Sequence, residues 1–234
     1  MPKDCIEVLN NHVSIREYEE KEIPSGDLKA ILEAARRAPT AWNLMPVHVS
    51  AIIDRELKKK AAIAVGGQRH VEESAVFLVF SLDYDKILRA AEKLGLEPAP
   101  KGLAHLVEAA IGAGIMAAWA AVAAESLGYG VTFIAAYADP CRLQEVLSLP
   151  EELVPLVGLT IGYPGEKPGL RPRQDNVYSI DNEAPSLDAR AESVIRVYGG
   201  RAGRLLSFVV SREGYVSRVE EALRSCLERK GYKV

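Results

Sequence analysis

The sequence predicts an α/β (α+β) fold with helices on both faces of a central sheet, and three stretches predict it. Residues 76–80, Val-Phe-Leu-Val-Phe, are an unbroken apolar run. Such a run suits a strand buried on both faces, which requires helices on both sides of the sheet. Residues 154–163 carry a second apolar run. Between Glu108 and Glu125 the chain has no charge and is rich in Ala, with Gly112 and Gly114 inside it. Ala is the strongest helix former and Gly costs only about 1 kcal/mol within a helix, so this stretch is read as one long helix. A helix apolar on every side must be covered on every side, which puts it at the centre of the core or at a subunit interface.

In chain order, Asp4 caps a short helix through Leu9, and residues 13–18 alternate as an extended segment. Pro24 and Ser25 open a second helix with one buried stripe, Leu28, Ile31, Leu32 and Ala35, and Pro39 stops it. Two prolines frame a loop over 39–46. Residues 47–53 read as a strand, 56–65 as a helix whose Lys58-Lys59-Lys60 is a solvated face, and Gly66-Gly67-Gln68 as a turn. After the 76–80 strand come a helix over 84–94 and the long helix. A strand over 131–135 follows, then a helix capped by Asp139 with Pro140 in its first turn. Residues 164–173 hold Pro or Gly at five of ten positions and form a loop. Helices over 187–198 and 215–230 close the chain, separated by a glycine-rich loop over 199–204.

Composition narrows the function. The 234 residues are 48% hydrophobic and 26% charged, ordinary for a globular protein. A net charge of −3 argues against a nucleic-acid partner, which calls for a basic surface. The uncharged part of the long helix, about sixteen residues, falls short of the roughly 20 that span a membrane. The first residues lack the apolar core of a signal peptide, so a cytoplasmic location is expected. Cys5, Cys141 and Cys226 are odd in number and scattered, which predicts reduced thiols with neither a disulfide nor a zinc site.

No G-x-S-x-G elbow, P-loop or H-E-x-x-H motif is present. A chain without its own reactive constellation borrows a cofactor. Cationic side chains in irregular segments are then informative: His12 and Arg16 flank Ser14, and Arg171 and Arg173 bracket Pro172. Guanidinium groups offer charge and paired donors to a phosphate. A competing motif, Gly112-Ala113-Gly114-Ile115-Met116-Ala117, fits the dinucleotide fingerprint. Against it, the residues before Gly112 read as helix, and Ile134 is followed by Ala135 where the fingerprint wants an acid.

Taken in order, His12-Val13-Ser14-Ile15-Arg16, Ala38-Pro39-Thr40-Ala41-Trp42-Asn43, Gly66-Gly67-Gln68, residues 158–165 and Leu170-Arg171-Pro172-Arg173 resemble the FMN-dependent nitroreductase family. The resemblance is closest to its NADPH-dependent branch, the oxygen-insensitive nitroreductases and flavin reductase P, and covers essentially the whole chain. It implies a mixed sheet inside helices, and a homodimer with one FMN at each of two interface sites. It also implies ping-pong transfer of two electrons from NADPH or NADH to a small-molecule acceptor. By the same resemblance, His12, Ser14 and Arg16 meet the FMN phosphate and ribityl chain, Arg171 and Arg173 close on the phosphate, and Gln68 contacts the flavin. Thr40, Ala41 and Trp42 come from the other subunit, and Ile134, Ala135 and Ala136 offer backbone groups to the ring.

The family often has a second basic residue where this chain has Val13, two glycines where it has Ala135 and Ala136, and an Arg-Asn pair where it has Ala138 and Asp139. Arg201 and Arg204 are candidates for the NADPH 2′-phosphate; His48, His70 and His105 are read as structural. Residues 1–175 are expected to form the FMN-binding core and 176–234 a helical extension packing on the core or the partner subunit. Two rival functions remain at this level: a dehydrogenase with a dinucleotide site at Gly112–Ala117, and a flavin-binding protein without turnover.

Overall fold

The computed structural model describes residues 4–174, 177 and 185–234. Compactness divides the chain into two units, Met1–Pro168 with Ala222–Val234, and Gly169–Glu221. The boundary expected at 175 and 176 falls outside the described residues.

The first unit is built on four strands: β1 (Val47–Ile52), β2 (Val76–Leu82), β3 (Gly130–Ile134) and β4 (Val154–Gly162). They lie in the order β1-β2-β4-β3. Every residue of β2 is buried, as its continuous apolar run requires. Alternation along β2 divides its side chains between two cores. Leu78 and Phe80 pack with α2 (Ser25–Arg37) and α6 (Leu103–Ser126) on one face; Phe77 and Val79 pack with α3 (Arg55–Ala64) and α7 (Pro140–Val146) on the other. Helices therefore cover both faces, as the sequence predicts.

The expected mixture of strand directions is absent among the described residues: all three strand pairings are antiparallel. Here β1 and β2 are joined through two helices, α3 and the short α4 (Arg69–Glu73), and β3 and β4 through α7 of only seven residues. Among the described residues the one parallel bridge, Gly102 with Lys233, lies outside the sheet.

The helix starts follow the chemistry of their caps. Asp4 accepts the Ile6 and Glu7 N–H groups ahead of α1 (Cys5–Asn10), and Asp139 accepts the Arg142 N–H ahead of α7. Between α3 and α4 the chain turns through Gly66 and Gly67 at φ 92° and 74°, a backbone open to glycine. Lys58 departs from the solvated face expected of it. It is 6% exposed, its Nζ donates to the carbonyl of Ser74 at the end of α4, and burial lowers its pKa.

A second departure concerns the thiols. Cys141 on α7 and Cys226 on α10 (Tyr215–Arg229) form a disulfide with Cα atoms 5.6 Å apart, and Cys5 is the free cysteine. The two are 85 residues apart in the chain, so no local spacing announces the pair. It fastens the closing segment beside Leu227 and Tyr232, which are buried in the core that contains α6.

Helix α6 is longer than its uncharged part, at 24 residues, and meets the length and apolarity of a membrane span. Ala109, Ala113, Ala117, Ala120 and Ala124 are nonetheless fully buried, on the face that packs with α2 and the sheet. Gly112 and Gly114 lie mid-helix, so no strand leads into the first glycine and no helix starts there. That removes the dinucleotide fingerprint.

In the second unit, α8 (Leu187–Tyr198) is capped by Ser186, whose hydroxyl accepts the Ala189 N–H at 3.2 Å. The glycine-rich loop expected over 199–204 is instead a single helical turn, Gly199–Arg201, running into α9 (Ala202–Val210). Arg204 therefore sits on a helix. The ring of Phe208 stacks on Tyr215 at 6.1 Å.

Candidate cofactor site

The N-terminal site residues are placed by the one between them. In extended backbone successive side chains point to opposite sides. Ile15 turns inward, 8% exposed, and Ser14 and Arg16 take the other side. The Ile15 N–H donates to the Val131 carbonyl at 2.9 Å, and Thr132 Oγ1 donates to the Ile15 carbonyl at 2.5 Å, so the segment lies along β3. Farther on, the Tyr18 hydroxyl meets Thr160 Oγ1 at 2.8 Å. Burial drives that phenol's pKa well above its ordinary value.

Arg16 is exposed, and its guanidinium makes one described hydrogen bond, a long one of 3.5 Å to the Ser14 carbonyl. His12 is engaged: its Nδ1 lies 2.8 Å from Glu125 Oε1 on the last turn of α6. Beside the segment opens a concavity of about 450 Å³ walled by Val13, Ile15, Glu125, Tyr129, Glu166 and Lys167. Its carboxylates make it a poor phosphate site, and Val13 faces it rather than standing with Ser14 and Arg16.

The start of α4 lies within electrostatic reach of Arg16. Burial first, and then the Arg16 charge, lowers the His70 pKa. The His70 Nε2 is buried without a hydrogen-bond partner. Two residues before it, Gln68 Nε2 donates to the Val65 carbonyl at 2.9 Å, which finishes the turn and leaves the amide oxygen without a described partner. Ile134 and Ala136 are 3% and 0% exposed and pack in the second core, so residues 134–136 can offer main-chain groups but few side-chain atoms.

Thr40, Ala41 and Trp42 form a separate group. Trp42, Asn43 and Met45 have φ of 54°, 56° and 47°, a left-handed backbone that costs energy for residues with a Cβ. Thr40 Oγ1 accepts the Met45 N–H at 3.1 Å and holds this loop together. Trp42 is 88% exposed at its tip. Where the loop begins, a hollow of about 220 Å³ is lined by Thr40, Ala41, Glu108, Ile111, Gly112 and Ile115. Glu108 Oε2 accepts the Tyr84 hydroxyl at 3.1 Å, and Oε1 is buried without a partner. No described hydrogen bond or ion pair joins this loop to residues 12–16 of its own chain.

Arg171 and Arg173 are exposed and belong to the second unit. No motif singled out Glu125, Glu166 or the position of His70 beside Arg16. The first two act on residues 113 and 150 positions away in the chain, beyond any local pattern.

The exposed Arg16 guanidinium stands beside Ser14 on an extended segment pinned by β3, an arrangement able to receive an anionic group. Residues 9–163 match the model of the Nitroreductase family, and the chain belongs to that family. It is 31% identical to the FMN reductase [NAD(P)H] of Bacillus subtilis (strain 168), over 99% of this chain and 98% of that protein. With the oxygen-insensitive NADPH nitroreductase of Salmonella typhimurium it shares 34% identity over 72% of this chain and 69% of the relative. Among solved structures, the hypothetical oxidoreductase YcnD from Bacillus subtilis superposes with a TM-score of 0.84 at 30% identity, covering 98% of both chains.

Proposed function

We propose that this chain is an FMN-dependent oxidoreductase that takes two electrons from NADPH or NADH and passes them, in ping-pong order, to a nitroaromatic, a quinone or a free flavin. The observation that carries the reading is the Arg16 segment: a charged group with unused donors, held by buried neighbours, in a chain similar to FMN reductases. FMN, when bound, supplies the hydride chemistry; the chain supplies binding, orientation and electrostatics. Arg16 and Ser14 hold the phosphate end with the His12 nitrogen not used by Glu125. Arg171 and Arg173 are further phosphate ligands by their chemistry. Gln68 and the main chain of Ile134, Ala135 and Ala136 serve the flavin, and Thr40, Ala41 and Trp42 are supplied by a second copy.

The homodimer has its own support in α6. Leu103, Val107, Ile111, Ile115 and Trp119 stand four residues apart; all but Ile115, which is half-buried, are 45–59% exposed. Alongside run the exposed small residues Ala110, Gly114 and Ala118, also four apart. A ridge of large side chains beside a groove of small ones is self-complementary about a two-fold axis. Such a partner also gives the exposed Trp42 a neighbour. The acceptor is a small molecule, neither a nucleic acid nor a membrane. The residues 176–234 are read as an extension of the core of 1–175. The cytoplasm, where NAD(P)H is supplied, is the proposed location; the disulfide sulfurs lie on residues only 6% and 0% exposed, shielded from soluble thiols.

The test is the purified protein's absorption spectrum. A yellow protein that releases FMN on denaturation and oxidises NADPH with a quinone is expected, and Arg173→Ala weakens FMN binding by about 1.5–3 kcal/mol, roughly 10–100-fold. A colourless protein that cannot be reconstituted with FMN sinks the reading.

A further inference from the structure

A short polar contact to Arg16 comes from a residue outside the motifs. Glu166 Oε1 accepts the Arg16 N–H at 2.5 Å and the Glu17 N–H at 3.2 Å. The two stretches are also tied through the main chain: Gly165 N–H donates to the Glu17 carbonyl at 2.8 Å, and Glu19 N–H to the Tyr163 carbonyl at 3.0 Å. We propose that Glu166 is a positioning residue for FMN, acting through Arg16: its carboxylate fixes the backbone from which the guanidinium reaches the phosphate. The inference rests on Arg16 being a phosphate ligand.

Three features support it. Arg16 is exposed, so its reach is set by its backbone rather than by packing around the side chain. That backbone is held from both sides, on the Ile15 side by Val131 and Thr132, and at its own N–H by Glu166. Hydrogen bonds to an ionised acceptor are roughly twice as strong as neutral ones. A carboxylate near a phosphate site is also unfavourable by charge, so what it contributes there must come through those two N–H groups.

FMN titration of the full-length apoprotein, followed by flavin fluorescence, tests the idea on Glu166→Ala, Glu166→Gln, Glu166→Asp, Arg16→Ala and the double variant Arg16→Ala/Glu166→Ala. The alanine variant is expected to bind about 10-fold more weakly, and glutamine, whose amide oxygen accepts the same N–H groups, to restore affinity to within about threefold. Aspartate keeps the charge but draws the oxygen back by about 1.5 Å, one C–C bond, and should resemble alanine. In the Arg16→Ala background, removing Glu166 should cost nothing further. Both N–H groups it serves are on exposed residues, so thermal melts by circular dichroism should match wild type. Unchanged or tighter FMN binding by Glu166→Ala, with Arg16→Ala still weakened, overturns the inference alone, as does additivity in the double variant. Unchanged binding by Arg16→Ala overturns the reading of Arg16 itself, and the inference with it.

Discussion

The two faces of α6 have the same polarity and opposite construction. Toward the sheet the helix presents alanines, Ala109, Ala113, Ala117, Ala120 and Ala124, all fully buried. Away from it stand Leu103, Val107, Ile111 and Trp119, between 45% and 59% exposed. An isolated domain would be expected the other way round, with its largest apolar groups inside. Small residues inward let the backbone come close to α2 and the sheet, while large residues outward leave a contiguous apolar surface that calls for a partner. The inner face makes the fold, and the outer face is the one proposed for the dimer.

That division predicts different failures on the two faces. The larger effect belongs inside: Ala113→Asp puts an unpaired carboxylate among fully buried neighbours, at a cost of about 3–5 kcal/mol or more. The expected outcome is insoluble protein, or a melting midpoint lowered by many degrees. A variant that melts like wild type would show that the inner face is looser than its burial indicates.

On the outer face, Ile111→Asp leaves the chain folded. Burying one Ile contributes about 1.5–3 kcal/mol, and a two-fold interface counts it twice, so the dimer should weaken at least about 100-fold. Light scattering across a dilution series reads this directly, with circular dichroism as the control for folding. On the proposed assignment of Thr40 and Trp42 to the neighbouring site, FMN affinity should fall with it. If Ile111→Asp unfolds the monomer instead, the two faces do not have separate roles.

What could be read from sequence follows the same division. Strand runs, caps and the proline and glycine stops are local signals, and the elements they mark came out within a few residues. The two faces of α6 were not separable, because a helix apolar all round carries no periodic contrast to orient it. Helix α9 was hidden by Gly199, Gly200 and Gly203, which read as a loop although Leu205, Leu206, Phe208 and Val209 follow directly. The Cys141–Cys226 disulfide and the contacts of Glu125 and Glu166 join residues 85 to 150 positions apart, and no spacing rule reaches that far. The Ser14–Arg16 motif was visible as chemistry. The anchors that hold it, Val131, Thr132 and Glu166, were not.

The smallest contrast between the faces is in ionisation. The outer ridge carries no titratable group, whereas the inner face is flanked at both ends by buried phenols. Just past the C-terminal end Tyr129, 5% exposed, donates to Asp27 of α2 at 2.5 Å and packs edge-on against Tyr163 at 5.0 Å. Beyond the N-terminal end Tyr232, 2% exposed, lies against Lys101, whose Nζ is 4.9 Å from the ring centre. Burial first, and nearby carboxylates after it, raise both phenols well above their ordinary value. The unfolded chain loses these protons near pH 10 while the folded chain keeps them. The folded state then binds more protons, so the stabilisation is complete below pH 10 and is lost as pH climbs toward the folded values. Each phenol contributes a slope of at most about 1.4 kcal/mol per pH unit. Urea melts between pH 8 and 11.5 should show the decline, and Tyr232→Phe should flatten it without changing stability at pH 8 by more than about 1 kcal/mol. Tyr129→Phe should flatten it too, with an added loss at every pH from the missing bond to Asp27. The proposed dimer, whose ridge carries no ionising group, should keep its dissociation constant until the fold itself loosens. Dissociation in alkali ahead of unfolding would place a titrating group in the interface and end the contrast.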